Sequence, residues 1–218
     1  TRAAKAGDKK AAKEMELLNR VKEALLTGVS ARSVQITDDE RELLESFQLL
    51  TAKPVLYVCN VDEKSAKNGN AYVERVREAI KNEDAEIIVL AVATEADITE
   101  LESYEERQMF LEDIGLDEPG ASKLIRAAYH LLNLQTYFTA GVKEVRAWTI
   151  HKGDTAPQAA GVIHTDFEKG FIRAEVIAYN DFITYGSEAK VKEAGKMRVE
   201  GKEYIVKDGD IMHFRFNV

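Results

Sequence analysis

The chain has 218 residues, enough for one large domain or two small ones, and its 45% hydrophobic and 31% charged content supports a buried core under a hydrated surface. Thirty-eight acidic against thirty basic side chains give a net charge of −8, which argues against non-specific coating of nucleic acid while leaving room for a local basic site. The single cysteine, Cys59, excludes an intramolecular disulfide framework and fits a reducing, cytoplasmic setting. No apolar run approaches the ~20 residues needed to span a bilayer, so no membrane partner is expected. The opening TRAAKAGDKK lacks the apolar stretch of a signal peptide, has no initiator Met and starts within a helical pattern, so a piece of a longer protein is expected.

In chain order, residues 3–27 predict a helix, with Met15, Leu18, Val21 and Leu25 at three- and four-residue steps and Gly28 as its stop. Thr37 with Glu40 is a capping box before Leu43, Leu44, Phe47 and Leu50, so residues 1–50 read as a helical hairpin. PVLYVC (54–59) and EIIVLAV (86–92) read as buried strands with a helix over 71–81 between them. Thr99 and Glu102 predict a second capping box on a helix running to Ile114, and Pro119-Gly120 turns the chain into a further helix through Leu132. Strand, helix, strand is the pattern of a parallel α/β sheet, yet two strands cannot close a doubly wound sheet, so either the domain is incomplete here or something else covers the sheet edge. From Thr136 the texture changes: TYFTA, EVRAWTI, FIRAEVIA, KEYIV and IMHFRFN predict short strands around a helix that Pro157 opens, with a short helix over 187–194. That reads as a small mixed-sheet α+β module.

Charge divides along the same lines. Residues 83–118 carry thirteen acidic side chains against Arg107 alone, whereas residues 119–218 carry fourteen basic and twelve acidic side chains and all four histidines. RNA contact is therefore expected near the ends of the chain and not in the acidic middle.

Asn60-Val61-Asp62-Glu63 follows the first apolar strand directly, and the carboxyl ends of parallel strands are where α/β sheets bind ligands. In a guanine-reading N-K-x-D loop the final Asp accepts two hydrogens from the base. Here Glu63 stands at that position and Val61 replaces the Lys, which removes the guanine clamp; an ordinary strand-to-loop turn is the plain alternative. Ala91-Val92-Ala93 predicts a small-residue loop after the second strand that lets backbone N–H groups approach a base, or simply a tight strand exit. No G-x-x-x-x-G-K-S/T occurs, so these residues form no phosphate cradle of that kind. Asp117-Glu118-Pro119-Gly120 lies between helices and reads as a stop and start. His164-Thr165-Asp166 lacks a third ligand at metal spacing. His151, His213 and Cys59 read as structural. In the last module Lys143, Arg146, Trp148, His151, Lys152, Lys169, Phe171, Arg173, Arg198, Lys202 and Tyr204 interleave base and ring; Arg146 and Trp148 share a strand face suited to phosphate and a stacked base, unless Trp148 is core.

NLQTYFTAGVKEVRAWTI (133–150), APQAAGVIHTDFEKGFIRAEVI (156–177) and EGKEYIVKDGDIMHFRFNV (200–218) closely resemble the C-terminal TGS domain of the YchF (EngD, Obg-like ATPase) family of P-loop NTPases. The resemblance extends over the whole chain, through PVLYVCNVDE and EADITEL. It implies the remainder of a helical insertion over 1–50, the second half of a Rossmann-like nucleotide-binding domain over 51–135 and a TGS β-grasp domain over 136–218. It further implies that Asn60, Val61 and Glu63 form an altered base-recognition loop favouring ATP over GTP, and that Ala91, Val92 and Ala93 form the second base-contacting loop. Family members hydrolyse ATP or GTP with Mg2+, associate with ribosomes or ribosomal RNA and are cytosolic; the TGS candidates for such contact are Arg146, Trp148, Lys152, Lys169 and Arg173. In relatives the P-loop, switch regions and magnesium-binding residues lie upstream of Thr1. The resemblance thus implies an ATPase when complete, and a listless base-reading remnant, without catalytic residues or tight nucleotide binding, in this chain alone. The alternatives are a non-catalytic RNA- or ribosome-binding β-grasp module and a purely structural fragment.

Overall fold

The structure, a computed structural model, describes residues 8–83, 85–141 and 144–217. They fall into two compact units, Thr1–Leu131 and Leu132–Val218.

In the first unit, Asp8 caps helix α1 (Lys9–Leu26) by accepting from the N–H groups of Lys10 and Ala11. Leu17 and Val21, one turn apart, are its buried residues and pack with Ala31 and with Leu44 of α2 (Asp38–Ser46). The Thr37–Glu40 capping box is present, and Arg20 of α1 forms an ion pair with Glu40. Contrary to the expected run through Leu50, α2 stops at Ser46, because Gln48 takes a left-handed φ of 50° that a helix cannot continue. The Arg32 guanidinium donates to Glu83 Oε2 at 2.6 Å, and the Tyr57 hydroxyl reaches the same oxygen at 3.2 Å.

Strands β1 (Val55–Asn60) and β2 (Ala85–Leu90) pair in parallel from Val55↔Ala85 to Asn60↔Leu90, joined by α3 (Ala71–Ala79). The expected strand 86–92 ends at Leu90, because Ala91 turns out as the N-cap of α4 (Val92–Glu100). The single helix expected from Thr99 is instead two. The effective capping box is Ser103 with Glu106, four residues on, and it opens α5 (Tyr104–Asp113). Leu101 is extended there, and its carbonyl accepts from Arg107 Nε and Nη2 at 2.9 and 2.7 Å, which holds the break. Helix α6 (Gly120–Leu131) completes the unit.

In the second unit, β3 (Leu134–Ala140), β4 (Val145–His151), β5 (Phe171–Ile177), β6 (Arg198–Glu200) and β7 (Ile211–Phe216) form one sheet in the order β4-β3-β7-β5-β6. β7 pairs parallel to β3 at Phe138↔Ile211 and antiparallel to β5. On one face α7 (Ala156–Ile163), with Pro157 in its first turn, buries Ala159 and Ala160 against Tyr137, Ala174, Val176 and Met212, and the Tyr137 hydroxyl donates to the Ala159 carbonyl at 2.9 Å. The short α8 (Thr165–Lys169) follows; His164 caps it by accepting from the Asp166 N–H, a structural role. On the other face α9 (Tyr179–Tyr185) and α10 (Glu188–Glu193) cover Ile177 and Ile211 through Phe182 and Val191. Each fully buried side chain of this size contributes about 1.5–3 kcal/mol.

Two expectations fail in this unit. KEYIV (202–206) is a loop, touching a strand partner only at Ile205↔Thr155, and the short strand lies upstream at Arg198–Glu200. Its residues turn inward because Val206 is core and the Tyr204 hydroxyl donates to the buried Asp210 carboxylate at 2.7 Å. Burial, followed by that carboxylate, pushes the Tyr204 phenol up to about 12. Helix α9 has no counterpart in the sequence expectation, which left 179–185 unassigned; Gly186, at φ +74°, terminates it.

Candidate functional site

The apolar run of β1 ends in Asn60, so pairing with β2 delivers its side chain to the carboxyl end of the sheet. There Asn60 Oδ1 accepts the Val92 N–H at 3.1 Å, one of the N–H groups that the start of α4 leaves without a helical partner. The Val61 N–H donates to the Leu90 carbonyl at 2.8 Å, and Asp62 accepts from the Ser65 N–H at 3.0 Å, fixing the turn that holds Glu63. Asn60 and Glu63 are exposed, Ala91 is buried, and Val92 and Ala93 are open to solvent. The two candidate loops thus lie side by side, although Ala91–Ala93 is a helix start and not the expected loop.

Two contributors escaped sequence reasoning. Glu95 accepts from the N–H groups of Gly120 and Ala121 at 2.7 and 3.3 Å, capping α6 from the neighbouring helix. A Cβ at Gly120 would lie 2.5 Å from Leu90 Cδ2 and 2.7 Å from Glu95 Oε1, so only glycine admits this approach. The contact joins positions 25 residues apart, beyond the reach of any local pattern; Asp117-Glu118-Pro119-Gly120 signalled only that a helix begins.

The basic–aromatic set is divided by the sheet. Arg146 and Trp148 pair with Thr139 and Tyr137, so they share the α7 face. Arg173 pairs with Arg215 on the opposite face. The Arg146 guanidinium sits 4.1 Å from the Trp148 ring centroid, and the indole N–H donates to Thr139 Oγ1 at 2.9 Å. Trp148 is partly buried against the core, and Arg146 covers one face of its ring. Lys152 lies in the turn after β4 and Lys169 ends α8, both exposed. Arg198 Nη2 donates to the Tyr204 hydroxyl, Lys202 is exposed, and Lys143 lies outside the described residues.

The Asn60 lip offers an exposed amide, an exposed carboxylate and two adjoining backbone segments, groups with which a nucleotide base can hydrogen-bond. The phosphate and Mg2+ end does not fit: the sequence has no phosphate loop, and among the described residues no group of three His, Cys, Asp or Glu could hold a metal. Likewise, no described helix is long and apolar enough to cross a membrane.

Residues 134–217 match the family described as YchF-GTPase_C, protein of unknown function (DUF933). The chain is 56% identical over 215 residues to the ribosome-binding ATPase YchF of Haemophilus ducreyi, covering 99% of this chain and 59% of that protein. It is 53% identical over 220 residues to the protein of the same name from Bacillus subtilis, covering 100% and 60%. Obg-like ATPase 1 of Rattus norvegicus is 44% identical over 222 residues, covering 99% and 55%. The chain therefore spans about three fifths of the length of these curated relatives. Among solved structures, the Schizosaccharomyces pombe YchF GTPase superposes with a TM-score of 0.83 at 37% identity, covering 95% of this chain and 56% of that one. A GTP binding protein from Pyrococcus horikoshii OT3 shares the fold at a TM-score of 0.54 and 17% identity, covering 91% and 64%. With its mixed α/β architecture, a match to the YchF C-terminal model over residues 134–217 and identity of 53–56% to YchF proteins along its length, this chain is similar throughout to the C-terminal portion of YchF-family proteins.

Proposed function

We propose that this chain supplies the base-reading half of an ATP/GTP-binding domain and a ribosome-contacting TGS β-grasp domain to a YchF-type, cytoplasmic nucleotide hydrolase. The observation that carries the reading is the Asn60 Oδ1 to Val92 N–H bond, which ties both candidate loops into one lip at the carboxyl end of the parallel pair. The division at 51–135 and 136–218 is supported by the change from a parallel pair to a five-stranded mixed sheet. The β-grasp reading is supported by a parallel contact between the first and last strands of that sheet, with one main helix packed on a face.

Asn60 braces the lip, the Val61 and Val92–Ala93 backbone lines it, and Glu63 faces the base edge. The preference for ATP over GTP follows from Glu63 and Val61 standing where a guanine clamp needs Asp and Lys. The phosphates and Mg2+ must be held by residues outside this sequence, so the chain alone is expected to bind nucleotide weakly and to turn over none.

The test is to restore the guanine clamp with Val61→Lys and Glu63→Asp in the complete protein carrying this segment, and to titrate it with fluorescent ATP and GTP. A shift of affinity toward GTP is expected; an unchanged ratio would overturn the base-reading role. A second reading, a non-catalytic ribosome- or RNA-binding module, is favoured by the exposed Arg146, Lys152 and Lys169. It requires that this chain sediment with ribosomes in a salt-dependent way, without nucleotide.

A further inference from the structure

A cavity of about 470 Å³ lies in the first unit, and neither Asn60 nor Glu63 lines it. One wall is four consecutive β2 residues, Glu86, Ile87, Ile88 and Val89. Side chains on a strand alternate between the two faces of a sheet, so a single cavity touching four in a row must run along the strand's edge. β1 occupies the other edge of β2 and contributes nothing to the lining. Because the Leu90 carbonyl points to β1, where it accepts from the Val61 N–H, alternate residues Ile87 and Val89 direct their N–H and C=O groups the other way, into the cavity. Among the described residues nothing pairs with those groups. An open edge of this kind is a template for an added strand.

The rest of the lining is cationic. Lys67, Arg77 from α3, and Lys123 and Arg126 from α6 border the groove. Of its two acids, Glu118 pairs with Arg126, while Glu86 Oε2 is buried 3.6 Å from His130 Nδ1 and has no hydrogen-bond partner among the described residues. Arg77 is shared with Glu74 at 3.3 Å. Lys67 and Lys123 have no ion pair among the described residues. The basic groove adjoins the segment 83–118, where thirteen acidic residues stand against a single arginine, so its charge is local and selective.

We propose that the outer edge of β2 is a docking groove for an extended, acidic peptide segment of a partner protein, which adds a strand beside Ile87 and Val89 while its carboxylates meet Lys67 and Lys123. Backbone pairing would supply affinity and the flanking cations direction and selectivity. The unpaired peptide groups favour a polypeptide over a nucleic acid, whose phosphates would use the lysines and leave the strand edge unmatched.

The test uses a fluorescein-labelled peptide of alternating glutamate and valine, about seven residues long to match a typical strand. Binding to the chain is followed by fluorescence anisotropy, and amide exchange is followed at β1 and β2. Salt-sensitive binding is expected, with slowed exchange at Ile87 and Val89 and a loss of about tenfold in the variant Lys67→Glu/Lys123→Glu, whose first site is exposed and second half-buried. Arg75→Glu, on α3 outside the groove, controls for general charge and should bind as the parent does. Equal binding of a lysine–valine peptide, protection on β1 in place of β2, or displacement of the peptide by a short single-stranded RNA would each overturn the proposal.

Discussion

β1 and β5 carry comparable apolar sequence, Val55 to Cys59 in one and Phe171, Ala174, Val176 and Ile177 in the other, but differ in what covers them. No residue of β1 is buried and Val58 keeps 46% of its surface, whereas those four residues of β5 are at most 4% exposed. β5 lies between β7 and β6, with α7 on one face and α9 and α10 on the other. Among the described residues β1 has one strand neighbour, β2. Apolarity therefore states a strand's demand for cover, while topology decides whether it is met, and the second unit meets it from its own residues.

The sharpest way to break this contrast is Tyr137→Ala. Removing a fully buried ring and its bond to the Ala159 carbonyl should cost the second unit about 3–5 kcal/mol. Trp148, the chain's only tryptophan, lies in that unit, so its fluorescence during urea unfolding reads the loss directly. A cost near zero would show that this core is no tighter than the β1 sheet. In the first unit, Gly120→Ala should cost about 1–3 kcal/mol, because its Cβ meets Leu90 and Glu95 below contact distance. Amide exchange along α6 reports it, and an unchanged pattern would mean the junction is loose.

Tyr204→Phe refines the picture of the second unit. It deprives the buried Asp210 carboxylate of a donor and should cost about 1–2 kcal/mol in the same fluorescence assay. The smallest expected effect is acid-specific. Arg32, with burial opposing and Tyr57 assisting, holds the Glu83 carboxyl below its ordinary range. The pair's stabilisation is thus complete above the unfolded-chain value of about 4.3 and drains away as pH falls through the lower folded value. Glu83→Gln should flatten the acid limb of a stability–pH curve for the first unit, leaving the neutral-to-alkaline part parallel to the parent's.

Much of the fold was legible wherever the signal is local. Thr37 with Glu40, Gly28 after Leu26 and Pro157 in the first turn of α7 each act within a few residues, and each stands where the pattern put it. The errors came where distant partners decided between equivalent local signals. Thr99–Glu102 and Ser103–Glu106 are both capping boxes on paper; Arg107 holding the Leu101 carbonyl selects the second. KEYIV alternates like a strand, but Asp210 and the core claim Tyr204 and Val206. Of the candidate site, Asn60 was legible from its place after an apolar strand, whereas its bond to Val92 and the Glu95 cap on α6 depend on β2 and α6 arriving alongside. The face shared by Arg146 and Trp148 followed from strand alternation, but nothing local indicated that the guanidinium would lie over the indole.

β7 is the last of its sheet's five strands in sequence, yet it lies third of five in space. The β3–β4 hairpin and the β5–β6 pair each present an inner edge to β7, and neither half-sheet pairs with the other except through residues 211–216. The whole sheet is thus a single cooperative unit hinged on one strand, and a lesion in Ile211–Phe216 would sever it into two hairpin-sized pieces that are each too small to persist alone.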